Sequence, residues 1–137
     1  MSLLRTYLFL IPLLVLLLAE VTKAAVARAR TGTWHDKIFH PGGMPSSHSA
    51  FVTSLLIIVE RKLSTESIEF AIAFCFACIV WYDAVMVRGM LGKQAEILNH
   101  LQPWRHLRTR LGHSLPEVAG GILFGAVVTW IGIAVSA

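Results

Sequence analysis

Three short clusters carry residue types that could do chemistry together. In Gly42-Gly43-Met44-Pro45-Ser46-Ser47-His48, two glycines and a proline lead into serines and a histidine at the start of an apolar run. Lys23 and Arg30 bracket the basic stretch KAAVARAR. His113 and Glu117 flank Pro116 in LGHSLPEV. A helix start offers unpaired N–H groups and a partial positive charge, and glycines before it let backbone approach a ligand closely; together these bind anions. Lysine supplies a point charge and arginine a fork that matches phosphate oxygens. A carboxylate one helical turn from a histidine shares its face and can fix its tautomer.

Each cluster also has a plainer role. A serine N-cap would account for one serine of the first. A basic segment beside a membrane would account for the second, and an interfacial histidine followed by a helix-start glutamate for the third. Their combination asks for more. Two imidazoles, fixed cations and helix-end N–H groups are what phosphoryl transfer through a phosphohistidine needs. One imidazole attacks phosphorus, the other protonates the leaving oxygen, and the cations stabilise the equatorial oxygens.

The elements that must position these groups read as membrane helices. The chain of 137 residues is 55% hydrophobic and only 15% charged, with a mean hydropathy of +0.66, and that composition points to one integral membrane domain over residues 1–137. Apolar segments run from about Leu3 to Ala19, with helix continuing toward Val26 and a kink expected at Pro12; from Ser47–Ala50 to near Val59; from Ile68 to Val87; and from Pro116 or Val118 onward. The second is short for a span, which takes about 20 residues. A lysine just before Ala24 argues against the first being a cleaved leader. The all-α expectation is a bundle of about four transmembrane helices.

If all four segments span, nine of the twelve Lys and Arg fall on one side, with Arg5, Arg61 and Lys62 opposite. The positive-inside rule puts the basic side in the cytoplasm, and the expected location is a bacterial inner membrane. The net charge of +4 therefore suits basic loops, and without an aromatic-interleaved basic stripe nucleic acid is not an expected partner. Cys75 and Cys78, inside an apolar helix, read as small packing residues. Gly121 and Gly125 form a small-residue face for a neighbouring helix, in this fold or in a homodimer. Asp83, an intramembrane acid, is expected to pair with a site cation in a structural or catalytic role. Gln94, Glu96 and Asn99, on an expected short helix Lys93–Leu101, are candidates for lining the site.

The order K-x6-R, P-S-x-H, H-x3-acid resembles the type 2 phosphatidic acid phosphatase (PAP2) superfamily. GGMPSSHSA, YDAVMVR, GKQAEILN and LGHSLPEV are similar to its short divergent PAP2 branch, over nearly all of Lys23 to Gly125. The resemblance implies a PAP2-like core, with His48 as general acid, His113 as nucleophile and Glu117 orienting it in place of the usual aspartate. Lys23, Arg30, Ser46 and Ser47 would bind the substrate phosphate, although Thr31 stands where the superfamily has proline and Ser47 where it has glycine. Superfamily spacing puts the third motif's arginine at Leu107; Arg108 is one residue off, and Arg88 is the favoured candidate. The implied activity is metal-independent and cofactor-free hydrolysis of a lipid or polyprenyl phosphate or diphosphate. The alternative is a noncatalytic binder of headgroup or phosphate. A metal site from His48, His113, Glu117 and Asp83 ranks below both, because nearby cations would repel it.

Overall fold

The computed structural model describes residues 9–32, 43–102, 104 and 106–136. Among them there is no strand. Helix α1 covers Leu10–Thr31, α2 Ser47–Leu63, α3 Ile68–Tyr82, α4 Arg88–Leu101 and α5 Leu115–Ser136. A π-helical turn, Asp83–Val87, joins α3 to α4. These three run on as one stretch of 34 residues, roughly 51 Å at 1.5 Å per residue. The short helix expected over Lys93–Leu101 is present and starts earlier, at Arg88.

Three helical stretches are long and apolar enough to cross a membrane: Leu10–Ala29, Ile68–Leu101 and Leu115–Val135. Helix α2, at 17 residues, is the short member of the four-helix expectation and sits at the centre, packed against α1, α3 and α5. Its position explains its composition. Shielded by three apolar neighbours, α2 can bury Ser47, Ser49, Thr53 and Ser54, which lipid would not solvate. Those neighbours turn their large side chains outward: Leu17, Ile72, Phe76, Ile79, Leu123 and Ile131 are all exposed, whereas Ala73 and Ala77 face in. Bulk outside and small residues inside is the arrangement of a bundle whose solvent is lipid.

The inner contacts are close because the residues are small. Val15, Ala19 and Ala50 form the core, with Phe124 and Val128 packed on it. Gly121 and Gly125 lie directly on the α2 backbone at Ser46 and Ala50, where a Cβ would collide with the carbonyl oxygens. The small-residue face is therefore covered within the chain by α2 and is not presented to a second copy. Two hydroxyl bonds add to this packing: Thr129 Oγ1 donates to Ser54 Oγ at 2.7 Å, and Thr53 Oγ1 donates to the Ser49 carbonyl at 2.7 Å.

Helix ends follow local chemistry. Gly32, at φ 72°, closes α1 with its N–H on the Arg28 carbonyl, the left-handed C-terminal position glycine takes readily. Ser67 caps α3 by accepting the Phe70 N–H at 3.1 Å. Pro12, expected to kink the first helix, falls in the first turn of α1 as described, where its missing N–H has no helical partner. Cys75 and Cys78 are free thiols.

Candidate active site

The C-terminal half of α1, the start of α2, the π turn and the start of α5 meet at one end of the bundle. Backbone bonds tie them. The Ser46 N–H donates to the Glu117 carbonyl at 3.2 Å, and the His113 N–H donates to the Ala84 carbonyl at 2.9 Å. A Cβ on Gly112 would stand 2.6 Å from the Gly89 nitrogen, so only glycine lets the segment before His113 lie on the helix there. Two of the sequence clusters and the π turn are thereby fixed to one another through main chain.

The π turn also sets Arg88. Residues five apart face different ways on an α-helix, but a π turn brings i and i+5 into register. Asp83 and Arg88 use that register: Arg88 Nε donates to Asp83 Oδ2 at 2.6 Å. The expected pairing of Asp83 with a site cation is present. Arg88 is 38% exposed, and one edge of its guanidinium is held by Asp83.

On α1, Lys23 is 12% exposed and Glu20 4%. The Lys23 ammonium donates to Glu20 Oε1 at 2.8 Å, and the Ser47 hydroxyl donates to the same oxygen. Gly43, at φ +92°, lies over the Lys23 stem, where its Cβ would be 3.4 Å from Cγ and Cδ. Arg30, two helical turns beyond Lys23 on the same face, has its backbone in α1; its side chain lies outside the described residues, as does Gly42.

Ser46 and Ser47, expected to bind the substrate phosphate, turn their hydroxyls into the bundle. Ser46 and Ser47 are 0% and 1% exposed. Ser46 Oγ shares a 2.9 Å hydrogen bond with Ser49 Oγ, and the Ser47 hydroxyl holds Glu20. Both hydroxyls are engaged inside the bundle because helix packing turns them there, and the Ser46 N–H is on the Glu117 carbonyl, which leaves the N–H groups of the first turn of α2, from Ser47 on, to meet an anion. No side chain caps the start of α2, so that role is open.

His48 is exposed and lies in the electrostatic field of Arg88, Glu20, Lys23 and Asp83. His113 has its side chain 5% exposed and feels Glu117, Lys23 and Arg88. Burial holds the His113 imidazole below its usual pKa; Lys23 and Arg88 push the same way, and Glu117 pulls it up. His113 Nδ1 stands 3.4 Å from Glu117 Oε2, near enough for Coulomb attraction. No hydrogen bond forms, so Nδ1 is buried without a hydrogen-bond partner among the described residues. Catalytic hydrogen bonds are often long before substrate binds. Glu117 is held from elsewhere: its Oε2 accepts the Ser114 N–H at 2.9 Å, the reciprocal half of a capping box, and Oε1 lies 3.5 Å from Arg110. Glu117 is therefore both a helix cap and the carboxylate facing His113.

A cleft of about 410 Å³ opens beside His113, bordered by Gly112, Lys93, Glu96 and Arg110. Glu96 is thus at the site's edge. Asn99 instead pins the chain at Leu107, donating to its carbonyl at 2.8 Å and accepting its N–H at 2.7 Å, and Gln94 is exposed. Arg108 is exposed in the same segment. His48, His113, Glu117 and Asp83 do not assemble as a group able to hold a metal among the described residues.

Two features were not anticipated from the sequence. Glu20 was missed, although a carboxylate three residues before a lysine inside an apolar run is a readable sign of an intramembrane pair. The π turn carries no sequence signal beyond the five-residue spacing of Asp83 and Arg88.

Residues 4–128 match the family described as the divergent PAP2 family. The uncharacterized membrane protein YuiD of Bacillus subtilis (strain 168) is 31% identical over 153 aligned positions, covering 96% of each protein. No solved structure matches the chain. With three candidate spans and this relative, the chain is a membrane protein.

Proposed function

This chain belongs to the divergent PAP2 family, and from that premise we propose that it is a lipid phosphatase working through a phosphohistidine on His113. The observation that carries the proposal is that main-chain hydrogen bonds, Ser46 N–H to the Glu117 carbonyl and His113 N–H to the Ala84 carbonyl, hold the segments of His48, His113 and Arg88 at one end of the bundle. With Nδ1 toward Glu117, His113 Nε2 is the nitrogen left for attack. Its lone pair forms the N–P bond as the P–O bond to the lipid breaks, and His48 gives its proton to the departing oxygen. Water then attacks phosphorus and returns a proton to His48, the N–P bond breaks, and inorganic phosphate leaves. Burial favours the neutral His113 this needs. Lys23, Arg88 and the α2 N-terminus offset the oxyanion charge.

The substrate class is a lipid or polyprenyl phosphate or diphosphate, its tail in the bilayer and its phosphate at the basic end. The basic residues at that end favour the cytoplasmic face of a bacterial inner membrane by the positive-inside rule. One observation favours a noncatalytic phosphate binder instead, namely the Nδ1 of His113 without a hydrogen bond. Purified protein given a panel of lipid phosphates, with and without chelator, separates the two. Phosphate release that vanadate blocks and EDTA leaves intact is expected. Vanadate binding without release from any lipid would favour the binder.

A further inference from the structure

Glu20 has no part in those steps, yet it is the most buried carboxylate among the described residues, at 4% exposed. One oxygen, Oε1, takes both the Lys23 ammonium and the Ser47 hydroxyl. The carboxylate therefore sits between the cation of α1 and the first turn of α2. Lys23 is itself enclosed, 12% exposed and covered along its stem by Gly43. An ammonium so placed is costly to leave uncompensated. Glu20 supplies that compensation. A phosphate arriving between His113 and Lys23 meets an ammonium already engaged, and a carboxylate of its own sign beside it.

We propose that Glu20 is a resident counter-ion which a bound phosphoryl group must displace from Lys23, so that the site holds a bare oxyanion weakly. This rests on the assignment of Lys23 to the substrate phosphate. The consequence is selective. A lipid ester adds the contact of its tail and can bear the displacement, whereas inorganic phosphate cannot and leaves. The carboxylate thereby discriminates between substrate and product at one atom.

Vanadate, titrated calorimetrically into the full chain in detergent at fixed pH and salt, tests this. Glu20→Gln keeps the size of the side chain and an acceptor for Ser47 but removes the charge. It should bind vanadate about tenfold tighter, the scale of one charge interaction removed at short range in a partly screened site. The gain should vanish when Lys23→Met is added, because the two residues act through each other. Ser47→Ala frees Oε1 from α2 and leaves it to Lys23, so vanadate should bind roughly threefold weaker. If Glu20 only props the helices together, Glu20→Gln binds vanadate unchanged or more weakly, and the proposal fails. Should that variant not fold, Ser47→Ala binding as tightly as wild type overturns it alone. Absence of vanadate binding in both wild type and folded Glu20→Gln would instead remove the phosphatase assignment, and this proposal with it.

Discussion

The two ends of the bundle are built from the same helices and solve opposite problems. At the α2–α3 turn, polar groups are satisfied locally and in the open. Ser64, Glu66, Ser67 and Phe70 bond to one another across two or three residues, and Arg61 lies over the Trp130 ring at 4.1 Å. At the other end, polar groups are buried and satisfied at a distance. Ser47 reaches Glu20 across 27 residues of sequence, Ser46 reaches the Glu117 carbonyl, and His113 is anchored to Ala84. Burying a polar group costs free energy unless it is paired, and in lipid the alternatives are fewer. The turn meets only the needs of chain reversal. The other end carries a density of buried polar groups that chain reversal does not require, and that excess supports placing the proposed site there.

The strongest way to break this contrast is at His113. With no nitrogen to carry the phosphoryl group, His113→Ala should lose turnover on every substrate, by on the order of 10⁶-fold as for other nucleophile deletions. Acid-quenched labelling with a phosphate-labelled substrate should trap an acid-labile adduct in wild type and none in the variant. An adduct mapped to His48 would exchange the two roles.

His48→Ala should cost less, about 10²–10⁴-fold, the usual share of general acid catalysis. The loss should shrink with p-nitrophenyl phosphate, whose leaving group departs without a proton. Equal losses on both substrates would remove His48 from the proton-donating role.

Much of this end was legible in the sequence, for physical reasons that differ by residue. His48 stood out because a helix start rich in glycine and serine is a recognisable anion site. Gly121 was legible as a close-contact position, though only the structure decides that α2 fills it. The direction of the serine hydroxyls was not legible, because sequence gives a residue's place near a helix start and not which way packing turns it. Glu20 was missed although its spacing from Lys23 was readable; its bond to Ser47, a tertiary partner, was not. The helix over Lys93–Leu101 was legible, but its continuity with α3 was not, because nothing in the sequence shows that Asp83–Val87 carries the helix on as a π turn.

A smaller effect sharpens the role of Glu117. Burial lowers the His113 pKa first, Lys23 and Arg88 add to that, and Glu117 opposes it. A nucleophile with a lowered pKa stays neutral to lower pH, so the acid limb of kcat/KM should fall below the usual imidazole range near 6.5. Glu117→Gln removes the opposing charge and should move that limb further down, with kcat reduced roughly tenfold as the imidazolium-like transition state loses a partner. An acid limb that moves upward in this variant would show that Glu117 acts on another group.

The smallest effect is expected at the turn, and its smallness is the point. Arg61 is exposed, and its guanidinium stacks 4.1 Å from the Trp130 centroid. An exposed contact of this kind stabilises by about 0.5–1 kcal/mol. Arg61→Ala should therefore lower thermal stability in detergent by a few degrees. It should leave vanadate affinity, the phosphate-release rate and the His113 acid limb where they are in wild type, because α2 transmits nothing from Arg61 to His48 except its own rigidity. If Arg61→Ala instead lowers phosphate release as strongly as a change at Glu117, then the ends are coupled along α2. The buried serines between them would then be parts of one network, and the division of the bundle into a structural end and a chemical end would have to be given up.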